Sequence, residues 1–339
     1  MSLAAGTDDC HEIAASLRSM QLIDDGEEFS LVRLAGGVSC DVFRVDFASR
    51  PSLVVKRALA RLRVAAEWNA PPERMRAEVA WLKLIAGINP DWVPRILGED
   101  RARHLFAMAY FPPADYPLWK AELAAGRSDI AFAATVGDAL ARMHAATAGN
   151  ATIAAAFAND EQFRALRLEP YLLYTAERHP DLAPVIRATV NQIAAARVAL
   201  MQGDISPKNI LCGPKGPIFL DAETACYGDP AFDLAFCLNH FLLKRVWHPQ
   251  WREGYAQAFA ALSTRYLAII NWEEPGELDR RSARLLPMLF LARVDGKSPV
   301  EYLTTEQQKS FVRSEARAMI AQPPANLTEL ARRYFAGSK

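Results

Sequence analysis

Residues 201–233 read MQGDISPKNILCGPKGPIFLDAETACYGDPAFD. Asp204 is followed five residues later by Asn209, and a second acidic pair, Asp221 and Glu223, follows a short apolar run. Moving a γ-phosphoryl group from a nucleotide to a hydroxyl needs a carboxylate facing that hydroxyl. It also needs oxygen ligands for the metal ions that neutralise the phosphates. Asp204 suits the first role. Asn209 can return to the same cleft and bind a metal through its amide oxygen. Ile218, Phe219 and Leu220 read as a buried strand that delivers Asp221 at its end. Glu223 shares that face if the strand continues, because side chains alternate with period two. Hard oxygen donors of this kind suit Mg²⁺. Gly, Asp, Asn and Pro also dominate turns, so each residue alone reads as a turn. The combination G-D-x-x-x-x-N, turn, apolar strand and D-x-E is far more specific.

That combination resembles the aminoglycoside phosphotransferase family. This is a branch of the protein-kinase-like fold that also holds choline, fructosamine and methylthioribose kinases. The resemblance implies an α+β, bilobal fold. Residues 1–110 would form a small nucleotide-covering lobe, an antiparallel β-sheet plus a helix. Residues 111–339 would form a larger, mainly helical lobe for catalysis and substrate binding. It implies Asp204 as catalytic base, Asn209 and Asp221 as metal ligands, Glu223 as a further metal ligand, and ATP and Mg²⁺ as cofactors. The later G-D-P-x-F-D run, 228–233, also recurs in the family, where its last Asp braces the catalytic loop; Asp233 is therefore read as structural. Gln202 stands where the family most often has a supporting His. Gln can also donate and accept, so it is expected to brace the loop too.

Working toward the N-terminus, residues 11–22 read as a short helix. The stretch 29–47 reads as strand, glycine turn and strand, with Leu53, Val54 and Val55 starting a third strand that ends at Lys56. Gly36 and Gly37 let backbone amides approach phosphates, and Ser39 adds a hydroxyl; a plain hairpin would use the same glycines. A lysine on a kinase third strand pairs with the α- and β-phosphates and with a helix glutamate. Lys56 fits that position, with Glu78 as its candidate partner and Glu73 as the competitor. Residues 92–97 and 105–108 read as two more strands. Tyr110-Phe111-Pro112-Pro113 breaks the pattern and reads as a hinge, with Met108 at the adenine edge.

Beyond Pro113 the pattern is helical: 128–146, 160–176, 182–199, 231–245, 250–269, 277–292 and 305–335, punctuated by Pro249, Pro275 and Pro287. His144 reads as a core or loop-bracing residue. Candidate acceptor contacts are Asp229, Trp247 and Arg293. The segments VPRILGED, YPLWKAEL and ARVDGKSPVEYL loosely resemble methylthioribose kinase, and that likeness supplies the reading of Arg293. This chain has Ala292 before it where that family often has a second arginine.

The chain has 339 residues, with 39 Lys plus Arg against 39 Asp plus Glu. Balanced charge argues against a nucleic-acid binder, and no apolar run is long enough to cross a membrane. Five scattered cysteines fit a reducing cytoplasm. An aminoglycoside site should be rich in carboxylates, and the last hundred residues carry no acidic cluster. The expectation is therefore an ATP- and Mg²⁺-dependent kinase phosphorylating a hydroxyl of a small sugar-like or amino-alcohol metabolite. An antibiotic phosphotransferase and a non-catalytic nucleotide-binding protein are the alternatives. Between the metal strand and the next helix there is no long activation loop, which disfavours a protein kinase. Oligomeric state is open, and a homodimer is compatible with the sequence.

Overall fold

The structure, a computed structural model, describes residues 3–4, 7–34, 40–59 and 74–336. Two compact units divide between Asp115 and Tyr116.

Among the described residues the first unit is a sheet with two α-helices. Strands β1 (Leu3–Ala4), β2 (Phe29–Arg33), β3 (Cys40–Phe47), β4 (Leu53–Ala58), β5 (Ile96–Asp100) and β6 (Leu105–Ala109) lie in the order β1-β2-β3-β4-β6-β5. Every pair is antiparallel. Helix α1 (Thr7–Ser19) precedes β2, and α2 (Arg74–Ile88) lies between β4 and β5. Alternation sends Phe43 and Val45 of β3 and Leu53 and Val55 of β4 to one face, where they pack with Ile13 and Leu17 of α1. The strand expected at 92–97 begins only at Ile96. Asn89 accepts from the Asp91 amide at 3.0 Å and winds Pro90–Trp92 into a 3-10 turn. Pro94 then has no amide to give a ladder.

Helices fill most of the second unit: α3 (Trp119–Ala124), α4 (Ile130–Thr147), α5 (Ala151–Ala156), α6 (Asp160–Phe163), α7 (Tyr174–Arg178), α8 (Ala183–Ala195), α9 (Ala231–Trp247), α10 (Arg252–Leu267), α11 (Pro275–Asp295), α12 (Glu306–Ala321) and α13 (Leu327–Ala336). Two short antiparallel strand pairs sit among them. Strand β7 (Ala199–Met201) pairs with β10 (Cys226–Gly228), and β8 (Ile210–Gly213) with β9 (Gly216–Phe219).

Four helix expectations need correction, each for a local reason. The helix expected at 182–199 stops at Ala195, because Ala199–Met201 is taken as strand by β10. The helix expected at 305–335 is two helices, broken where Pro323 and Pro324 fall between α12 and α13. Pro287 does not punctuate: α11 runs through it. An interior proline costs about 3 kcal/mol, and the buried run Leu285–Ala292 packed on α9 offsets that cost. The helix expected at 160–176 changes to π-helical winding over Arg164–Leu173, with Pro170 inside. Within this stretch Arg167 Nη1 donates to the Leu166 carbonyl at 2.7 Å.

Candidate active site

In the first unit, β4 carries Lys56 inward and α2 carries Glu78 toward it. Lys56 Nζ donates to Glu78 Oε1 at 2.8 Å and Oε2 at 2.7 Å. Both side chains are buried, at 5% and 1% exposure, so each charge depends on the other. β4 runs two residues past Lys56 rather than ending there. Met108 lies inside the ladder, between Val54 of β4 and Ile96 of β5. Its backbone therefore belongs to the sheet, and the first residues beyond β6 start at Tyr110. Gly36, Gly37, Ser39 and Glu73 lie outside the described residues.

In the second unit the loop joining β7 to β8 is held by Asp233 at the start of α9. Asp233 Oδ2 accepts from the Gln202 amide at 2.7 Å, and Oδ1 from the Gly203 amide at 2.8 Å. Behind it, His144 Nε2 lies 3.3 Å from Asp233 Oδ2, and His144 Nδ1 lies 2.7 Å from the Tyr266 hydroxyl. Gln202 uses both ends of its amide. Nε2 donates to the carbonyls of Leu220 and Asp221 at 2.8 and 2.9 Å, and Oε1 accepts from the Asp204 amide at 2.6 Å. Thus Gln202 ties the Asp204 loop to the Asp221 turn. Gly203 has φ +80°, and a Cβ there would sit 2.8 Å from the Thr224 carbonyl oxygen, so glycine is required.

This scaffold fixes the Asp204 carboxylate asymmetrically. Oδ2 accepts from Asn209 Nδ2 at 2.9 Å and lies 3.1 Å from Arg167 Nη2 and 3.0 Å from Lys208 Nζ. Oδ1 is buried and has no hydrogen-bond partner among the described residues. Arg167 is anchored by Nε donating to the Gly203 carbonyl at 2.6 Å. Burial opposes its charge, but Asp204, with Tyr171, Glu223 and Asp221 behind it, raises its pKa overall. Asn209 spends its Nδ2 on Asp204 and keeps an amide oxygen as donor for a cation. The Leu220 amide donates to the Asn209 carbonyl at 2.9 Å, which brings the Asp221 turn beside Asn209. Asp221 has φ +64°, a left-handed conformation that Asp tolerates better than most residues. β9 ends at Phe219, so strand alternation does not place Glu223 on the Asp221 face; Glu223 follows through a turn. Among the described residues no three His, Cys, Asp or Glu gather into a metal cluster. Asn209 and Asp221 fit Mg²⁺, which completes its shell with waters and substrate phosphates.

The three acceptor candidates separate. Asp229 is committed elsewhere: Arg281 of α11 grips both its oxygens at 2.9 Å, and its Oδ1 accepts from the Ala231 amide. These bonds make the doubly engaged carboxylate a brace at the start of α9. Arg293 Nη1 lies 3.2 Å from the Tyr171 hydroxyl. The Arg167 guanidinium stands 5.9 Å from the Tyr171 ring, so Arg293 belongs to the Asp204 side. Trp247 stacks on Tyr302 at 4.5 Å between ring centroids, with Lys244 Nζ 4.3 Å from the Trp247 ring.

Sequence reading missed Arg167, Tyr171, Lys208 and Lys244. Arg167 sits in no motif, and only the fold brings it to Asp204. Lys208 had a signal, being four residues from Asp204 within the loop. Lys244 had another, a cation directly after the apolar stretch Phe241-Leu242-Leu243. Burial, with the charge of Lys120 added and Glu301 opposing, lowers the Lys244 pKa to about 8. A group whose folded pKa lies below its unfolded value binds more protons unfolded, so stability rises with pH across that window. Chemical denaturation should show stability rising from pH 8 to about 10.5, and Lys244→Met should flatten that slope. An unchanged slope would remove the buried charge from the account.

The sequence matches the model of the phosphotransferase enzyme family, APH, over residues 30–278. The chain belongs to that family. As a phosphotransferase it is a small-molecule kinase with a hydroxyl acceptor, in which a nucleotide supplies the phosphoryl group. Solved structures share its protein-kinase-like fold at low identity. A choline/ethanolamine kinase family protein from Mesorhizobium loti is 17% identical with a TM-score of 0.53, covering 98% of this chain and 99% of that one. Choline kinase from Cryptosporidium parvum is 11% identical with a TM-score of 0.57, covering 97% and 100%. Amicoumacin kinase, in complex with AMP-PNP, Ca²⁺ and Ami, is 12% identical with a TM-score of 0.56, covering 95% of each chain. No curated protein matches the phosphotransferase sequence. Among the described residues no helix is long and apolar enough to cross a membrane.

Proposed function

We propose that this phosphotransferase is an ATP- and Mg²⁺-dependent kinase acting on a hydroxyl of a small sugar-like or amino-alcohol metabolite. The observation that carries the reading is the Asp204 carboxylate, with Oδ2 held by three donors and Oδ1 buried and unpartnered. An oxygen so fixed can accept the acceptor's hydroxyl proton as the new O–P bond forms and the bond to the departing nucleoside diphosphate breaks. Lys56, oriented by Glu78, would hold the nucleotide phosphates. Asn209 and Asp221 would hold the metal, with Glu223 near them. Mg²⁺, when bound, neutralises charge on the phosphate oxygens. In this reading residues 1–110 cover the nucleotide and 111–339 supply catalysis and acceptor binding. Burial pushes the thiols of Cys212 and Cys226 up to about 12, in keeping with inert core residues in a reducing cytoplasm.

A coupled ADP-release assay with Mg²⁺-ATP against sugars, polyols, hydroxy acids, amino alcohols and aminoglycosides tests this reading. Turnover with one acceptor class, dependent on Mg²⁺, is expected. Nucleotide binding that fails altogether would count against it. Lys56→Met should raise the KM for ATP by about tenfold or more, with acceptor KM little changed. Unchanged ATP kinetics would remove Lys56 from the phosphate-binding role.

A further inference from the structure

Lys244 on α9 is 1% exposed, and its Nζ has no hydrogen-bond partner among the described residues. A buried ammonium is costly unless something pairs with it. Its near neighbours are two rings, Trp247 at 4.3 Å and Tyr302 at 4.6 Å from Nζ, which attract a cation only partly. Three further buried polar atoms close to this region also lack partners: the Tyr302 hydroxyl, Arg293 Nε and Asp204 Oδ1.

These groups are physically continuous. Asp204 contacts Arg167 and Lys208. Arg167 stands over Tyr171 and Phe236 at 5.9 Å, and Tyr171 meets Arg293. Phe236 touches His240, one turn before Lys244. The surroundings of His240 are strongly positive: burial first, then Arg293, Lys244, Lys208 and Lys120, drive its pKa well below normal. Those four cations come from α9, α11, α3 and the catalytic loop. The opposing carboxylates are Asp204, with Asp221 and Glu223 behind it on the Arg167 and Lys208 side, and Glu301, which is paired with Lys120.

Resting on the phosphoryl-transfer reading above, we propose that the acceptor carries an anionic group, a carboxylate or a phosphate, seated against Lys244 and Arg293, while its hydroxyl meets Asp204 Oδ1. The anion supplies the hydrogen-bond acceptor that Lys244 Nζ lacks among the described residues, and the orphaned Tyr302 hydroxyl donates to it. In the transfer the hydroxyl oxygen bonds to the γ-phosphorus of the nucleoside triphosphate. The nucleoside diphosphate leaves with the bonding pair, and the hydroxyl proton passes to Asp204. Of the two acceptor classes proposed above, this selects the sugar-like one, because a cationic amino alcohol, like an aminoglycoside, would meet like charge here.

The test uses the full chain and five probes: gluconate, glycerol 3-phosphate, sorbitol, choline and kanamycin. Binding is followed by calorimetry and turnover by ADP release. At least one of the two anions should bind, and Lys244→Met should weaken it by about tenfold or more while ATP affinity is retained. A preference between gluconate and glycerol 3-phosphate separates carboxylate from phosphate. Anion binding lost in Lys244→Met but without ADP release upholds the anion seat and counts against phosphoryl transfer. Absence of anion binding, anion affinity indifferent to Lys244→Met, or a better kcat/KM for choline or kanamycin overturns the proposal.

Discussion

Asp204→Asn is expected to lower kcat by about a thousandfold, within the 10²- to 10⁴-fold span of a general base, while nucleotide affinity changes little. The carboxylate now turns Oδ2 toward Asn209, Arg167 and Lys208, all of them donors. An amide has a single oxygen. Facing those three donors, it presents its NH₂ where Oδ1 stood, and an NH₂ donates to a hydroxyl rather than accepting its proton. Geometry is preserved and basicity is lost. Single-turnover measurement with saturating Mg²⁺-ATP and acceptor would check this, with thermal unfolding as a control for fold. A mutant within tenfold of the parent would displace Asp204 from the role of base.

Asp233→Asn should destabilise the second unit by about 3 kcal/mol or more. Asp233 is fully buried and takes two backbone donors, the Gln202 and Gly203 amides, on separate oxygens. An amide at that position can accept only one of them. It turns its own NH₂ toward the other, leaving two buried donors face to face. Total stabilities are roughly 5–15 kcal/mol, so the denaturation midpoint should fall clearly. The loop that carries Asp204 would be released as well, and kcat should drop with the midpoint. A urea titration decides it: a midpoint equal to the parent's would mean the loop is held by Gln202 without Asp233.

Both expectations trace back to short-range pattern. The spacing of Asp204, Asn209, Asp221 and Asp233 is legible because the Asp204 loop and the helix after it are built from neighbours in sequence, with only a hairpin between them. The Lys56–Glu78 contact was legible for a similar reason, since a strand and the next helix can meet in few ways. Glu223 and Met108 show the limit. Alternation assumed a strand that in fact ends at Phe219, and the strand read as ending at Met108 runs on to Ala109. Pro287 and Pro170 show another. Proline reads as a stop, yet burial carries α11 through one and π-helical winding accommodates the other.

By itself, then, the sequence determined the fold class, the family and the residues of the 201–233 loop, because each rests on local spacing and on hydrophobic period. Tertiary structure alone decided the electrostatics around that loop. Arg167 reaches Asp204 from 37 residues away in sequence. Arg281 claims Asp229 across 52 residues. Lys244 is left buried among the rings of Trp247 and Tyr302 with no hydrogen-bond partner for its Nζ among the described residues. A charge acquires its meaning from the groups within a few ångströms of it, and long-range packing, which no local pattern records, chooses those groups.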